Sequence, residues 1–106
     1  MYPILMRPKS RGRISLVSTD PNDYPRIEPN YLTHPDDLKV LIEGLKIVRK
    51  IGDSPAFDKF GAEFFDKPFP LCAHLKPESD GYWKCYVKSM TTTDHHPIGT
   101  CKIGPR

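Results

Sequence analysis

The densest chemistry in the sequence is the run His95-His96-Pro97-Ile98-Gly99-Thr100-Cys101. Histidine titrates near neutral pH, which suits it to take a proton from a hydroxyl group. Pro97 restricts His96 to extended backbone and so limits where its imidazole can point. Gly99 lets the backbone come close to whatever lies alongside. By residue type alone, His95 and His96 are equally the histidines of an ordinary surface loop, so His96 stands only as a candidate general base. Other sites of chemistry find little support. Cys72, His74, Cys85, His95 and His96 include soft ligands, but their spacing matches no zinc pattern with paired ligands two to four residues apart. No metal is expected. The seven glycines form no GxSxG elbow, no P-loop and no dinucleotide GxGxxG turn. Cys72 and Cys85 either bridge, in an oxidising compartment, or remain thiols. A bridge would stabilise the chain by about 3 kcal/mol and leave one thiol over.

The elements that must carry these residues are legible to different degrees. The first third reads as extended, with strands expected within about residues 2–18. Residues 2–6 are apolar and residues 13–18 largely alternate, with Pro, Ser and Gly punctuation at 7–12 between them. Asp20-Pro21-Asn22-Asp23 has turn chemistry, and Pro25 and Pro29 keep residues 26–30 out of any helix. A helix is expected over about 34–52. Thr33 is its candidate N-cap, Pro35 lies in the first turn, and Asp36 and Asp37 meet the positive end of the dipole. Leu38, Leu41, Ile42, Leu45 and Val48 form one apolar face, and Gly44 within it suggests close packing. Ser54-Pro55 opens a short second helix in which Phe57, Phe60 and Phe64 share a face, and residues 66–77 read as a long loop. A third helix is expected over about 79–91, with Trp83, Tyr86, Val87 and Met90 on one side. The loop 94–105 follows it.

Composition narrows the function classes. The chain has 106 residues, which allows one small domain. Sixteen Lys plus Arg against thirteen Asp plus Glu leave a charge of only +3, too mild to call for nucleic acid. The basic cluster Arg7, Lys9, Arg11 and Arg13 reads as a solvated strand end and loop, with phosphate or cofactor contact as the alternative. Twelve prolines, about twice the usual ~5%, favour long irregular connections. No apolar run reaches the ~18–20 residues a membrane span needs. The first residues, with no basic stretch ahead of an apolar one, do not form a signal peptide.

Three separated segments carry a resemblance that covers nearly the whole chain. Residues 8–16, Asp20-Pro21, residues 27–32 and the helix after His34 run, in order, like the carboxy-terminal part of glucose–methanol–choline (GMC) oxidoreductases. The tail from His96 to Pro105 is similar to that family's HPxGTCKMGP segment, with Ile103 where Met is usual. Residues 80–86 resemble the insect glucose-dehydrogenase-like branch. The resemblance implies a partial substrate-binding domain of class α+β, a small antiparallel sheet packed with helices. It also implies FAD as cofactor and a small alcohol or sugar as substrate. His96 then matches the base that takes the hydroxyl proton while hydride passes to flavin N5. His95 matches the position lying against the isoalloxazine.

The family's FAD-pyrophosphate motif and its second active-site His or Asn are absent from the sequence. The expectation is therefore a fragment of an FAD-dependent oxidoreductase acting on CH–OH groups, inactive when isolated, whose partner is the missing FAD-binding portion of the same polypeptide. The alternative is a non-catalytic remnant or binding module.

Overall fold

The computed structural model describes residues 1–65, 67–101 and 103–104. Chain order is β1 (Arg13–Ser15), β2 (Arg26–Glu28), α1 (Pro35–Gly52), α2 (Pro55–Asp58), a 3-10 turn at Pro70–Cys72, and α3 (Asp80–Met90). A two-stranded antiparallel sheet with helices is consistent with the α+β class.

The strand arrangement corrects the expectation over residues 2–18. β1 pairs with β2, in the register Arg13↔Glu28, Ile14↔Ile27 and Ser15↔Arg26, and residues 2–6 form no strand. Pro25 and Pro29 flank β2 and confine it to three residues, since neither can donate a ladder hydrogen bond. Arg13 Nε pairs across the strands with Glu28 Oε2 at 2.7 Å. The Asp20–Asp23 turn forms as its sequence dictates: Asp23 N–H donates to Asp20 O, and Asn22 N–H to Asp20 Oδ1. Residues 2–6 instead run along α1, where a Cβ on Gly44 would come within 2.8 Å of Pro3. Close packing is thus the reason for that glycine.

Helix α1 starts one residue away from the expected cap. Thr33 hydrogen-bonds back to Asn30 O at 2.9 Å, and His34 is the N-cap, its Nδ1 accepting from the Asp36 N–H at 3.2 Å. Helix α2 is a single turn, so Phe60 and Phe64 lie beyond it. Phe64 folds back against Gly52, and the Arg49 guanidinium sits 4.2 Å from its ring centroid.

The hairpin does not pack its face on the helices as expected. Ile14 and Ile27 are 52% and 65% exposed, and the helices pack on each other instead. Polar ties join α1 to the start of α3: Lys46 Nζ reaches Asp80 Oδ1 at 3.0 Å, and Arg49 Nε reaches Glu78 Oε1 at 3.2 Å. The apolar stripe of α1 is only half-buried. Among the described residues, the buried apolar side chains are Cys72, Tyr82 and Val87. All three belong to α3 or to the turn bridged to it by a Cys72–Cys85 disulfide, whose Cα atoms lie 5.9 Å apart. The radius of gyration, 18.2 Å, compares with about 13 Å for a compact domain of this length. Much apolar surface therefore stays open.

Candidate functional site

The candidate site hangs from the end of α3. Ser79 caps its start, Oγ accepting from the Tyr82 N–H at 3.2 Å. Tyr82 turns inward, where its hydroxyl accepts the Phe69 N–H at 3.0 Å. Trp83, Tyr82, Tyr86 and Phe69 form a chain of edge-on and stacked rings. At the other end, Thr91 is the C-cap, and its Oγ1 donates to Val87 O at 2.7 Å. The described residues beyond Thr91 are all exposed and leave the packed region.

In that segment His95 has a left-handed backbone, φ 58°, and its N–H donates to Thr93 Oγ1 at 3.1 Å. Left-handed backbone is uncommon for non-glycine residues, although histidine adopts it more readily than most. The turn brings His96 Nε2 to 3.7 Å from Asp94 Oδ2. That is too long for a hydrogen bond but close enough for an ion pair when the imidazole is protonated. The His96 side chain is 80% exposed. Gly99 has φ 94°, with open space where a Cβ would stand. Its requirement is conformational, and the close backbone approach expected there is not made among the described residues. Cys101 is an exposed free thiol. Lys102 and Pro105, part of the expected 94–105 loop, lie outside the described residues.

The structure thus brings Asp94, His95 and His96 together but does not enclose them. Two shallow grooves lie elsewhere. One, of about 200 Å³, runs between Val48, Gly52, Phe57 and Phe64. The other, of about 290 Å³, lies between α1 and α3 beside Leu38, Ile42, Lys46 and Asp80. Neither is lined by a histidine. The described residues hold no grouping of three His, Cys, Asp or Glu side chains able to take a metal ion. Among the described residues, no helix is long and apolar enough to cross a membrane.

The strongest electrostatic feature was not anticipated by the sequence. Asp37 is only 2% exposed. It accepts the Lys9 N–H at 2.7 Å and the Ser10 N–H at 2.8 Å, clamping the segment leading to β1 onto the start of α1. Burial pushes its carboxyl up, but the Ser10 side chain and the two N–H groups outweigh burial and hold it below the usual carboxylate range. Ser10 Oγ also accepts the His34 N–H at 2.9 Å. Beside this clamp Lys9 and Asp36 pair at 2.7 Å, their hydrogen bond raising the lysine and lowering the carboxyl. An Asp-Asp pair at a helix start reads from sequence as dipole complementarity, and only the fold shows one of the two turned inward. The same contacts account for much of the basic cluster. Lys9 and Arg13 are ion-paired, and Arg11 donates to the carbonyls of Pro8 and Ser10.

FAD fits these residues only in part. The residues available to its ring are two exposed imidazoles on an open segment, with a left-handed glycine three residues on. The pyrophosphate has no counterpart among the described residues. The starts of α1 and α3 carry Asp36, Asp37 and Asp80 in their first turns, which repel an anion where a helix dipole would otherwise attract one.

The chain belongs to the GMC oxidoreductase family, whose carboxy-terminal family model matches residues 8–106. It is 38% identical over 105 residues to the glucose dehydrogenase (FAD, quinone) of Drosophila melanogaster, covering 99% of this chain and 17% of that protein. It is 43% identical over 98 residues to the alcohol dehydrogenase (acceptor) of Pseudomonas putida, covering 92% of this chain and 16% of that protein. With the oxygen-dependent choline dehydrogenase of Klebsiella pneumoniae subsp. pneumoniae it shares 35% identity over 100 residues, 93% of this chain and 17% of that protein. The chain therefore spans about a sixth of the length of these curated relatives. No solved structure matches it.

Proposed function

We propose that these residues form the substrate-side, base-carrying portion of an FAD-dependent oxidoreductase acting on the CH–OH group of a small alcohol or sugar. The observation that carries this reading is the family match over residues 8–106, which includes His96. FAD, when bound, supplies the hydride acceptor at its N5. His95 and His96 are the residues of this chain that would lie along its ring. The pyrophosphate needs residues beyond those present here, which accords with the chain's one-sixth share of its relatives' length.

The chain's own contribution is proton chemistry and positioning. His96, presented by the turn at His95 and restrained by Pro97, accepts the substrate hydroxyl proton on an imidazole nitrogen. Asp94, 3.7 Å from Nε2, then faces a cationic ring and offsets its charge. Removing the hydroxyl proton makes the carbon a better hydride donor, so the two transfers support each other. Open space around Gly99 leaves room for the reacting groups to approach.

The test is His96→Ala in a full-length flavin-containing protein that carries this chain. The variant should retain its flavin and lose roughly 10²–10⁴-fold in the rate of flavin reduction by alcohol, the span usual for a general base. Unchanged reduction kinetics would remove His96 from the mechanism. The 106-residue chain alone should neither hold FAD tightly nor oxidise alcohols. A purified sample with stoichiometric flavin that is bleached by substrate would contradict that.

A further inference from the structure

Three cysteines allow three pairings, and the structure selects one. Cys72 and Cys85 are joined, and Cys101 remains free and exposed on the tail. The bridge lies where the molecule is most tightly packed. Cys72 is wholly buried, whereas Cys85 is half-buried on α3. The turn it holds has few other anchors. Leu71 is 68% exposed, and Pro70 and Ala73 are also exposed. Apart from the bridge, residues 69–72 are tied to α3 mainly by the Tyr82 hydroxyl on the Phe69 N–H and by the Phe69–Tyr86 ring contact.

We propose that Cys72–Cys85 is a redox lock on α3, entered through Cys85, which makes the packed state of residues 69–90 conditional on an oxidising compartment. This goes beyond the flavin reading and does not depend on it. Closing the lock is a two-electron oxidation. The Cys85 thiolate attacks a small-molecule or enzyme disulfide, expels one thiol and forms a mixed disulfide. The Cys72 thiol loses its proton and displaces the second thiol, closing the Cys72–Cys85 bond. Two thiols of the chain are oxidised and one incoming disulfide is reduced to two thiols. Access sets the order through the reverse step: from the packed state an external thiolate reaches the half-buried Cys85 sulfur and not the wholly buried Cys72 sulfur, so opening leaves the mixed disulfide on Cys85 and expels the Cys72 thiolate, and closing retraces that path. Cys101, outside the packed region, takes no part. Bridges of this kind persist in secreted and luminal proteins and are reduced in the cytosol.

The chain supplies its own probe, since Trp83 is its one tryptophan and contacts Tyr82 and Tyr86 on α3. Alkylation followed by mass measurement of wild-type chain kept in a glutathione redox buffer of luminal poise should find one reactive thiol, at Cys101, and three after reduction. Denaturation followed by Trp83 emission should shift to lower urea on reduction, corresponding to roughly a hundredfold loss in the folded-to-unfolded ratio. Cys101→Ser should shift as wild type does, and Cys72→Ser/Cys85→Ser should not respond to reductant. Brief exposure of the bridged wild-type chain to glutathione, quenched with acid, should trap the mixed disulfide on Cys85 rather than on Cys72. Three labelled thiols before reduction, or a midpoint unmoved by reductant, would overturn the lock. A trapped adduct on Cys72, or equal amounts on both cysteines, would overturn entry through Cys85. If the cysteine variants fail to fold, the wild-type thiol count and midpoint still decide the lock.

Discussion

The stretches on either side of Thr91 differ in how they are held. Residues 69–90 contain the buried apolar side chains, the disulfide, the aromatic cluster and two capped helix ends. The described residues of 92–104 are all exposed, and their internal ties are one hydrogen bond at His95 and one loose ion pair at His96. Stability is concentrated in the first stretch, and the chemistry proposed for this chain in the second. Substitutions should therefore separate the two, with stability lost on one side and function lost without stability on the other.

The largest expected effect on stability is opening the bridge. Cys72→Ser/Cys85→Ser should cost about 3 kcal/mol, the entropy of releasing a loop of this length, measured by urea denaturation. Asp37→Ala should cost about 2 kcal/mol, because the Lys9 and Ser10 N–H groups lose a charged acceptor. Asp37 also gives the fold an acid limit. Its folded carboxyl titrates below the ordinary aspartate value of about 3.9, so its stabilisation is complete above that ordinary value and is lost as pH falls through the lower folded one. Wild type should thus show an acid transition in the hairpin and α1 that Asp37→Asn abolishes, followed by circular dichroism across pH 2–5.

Tyr82→Phe should cost about 1 kcal/mol by leaving the Phe69 N–H without its acceptor. His96→Ala should change stability by less than about 0.5 kcal/mol, as expected for an exposed side chain. A large loss there would show that the tail is part of the packed structure, and the comparison would fail.

The same contrast explains what the sequence revealed. Helices α1 and α3 were legible because local signals agree: apolar residues at helical spacing, proline or serine at the start, and basic residues or a β-branched stop at the end. The strand pairing was not. β2 is three residues between prolines and has no alternation long enough to count, and its partner is fixed by the turn at 20–23 and by the Asp37 clamp, both non-local in effect. The inward turn of Asp37 and the folding back of Phe64 on Gly52 depend on segments far apart in sequence. At the site, residue type and family resemblance singled out His95 and His96. Asp94 was missed because its approach to His96 depends on a left-handed backbone at His95, which no local rule requires of histidine.

Chemical rescue tests the central claim, that His96 is a proton acceptor, most directly. In the full-length flavin-containing protein, His96→Ala should reduce its flavin slowly with alcohol, and added imidazole should restore the rate in proportion to its neutral form. Reduction by His96→Ala at the wild-type rate without imidazole would contradict the account.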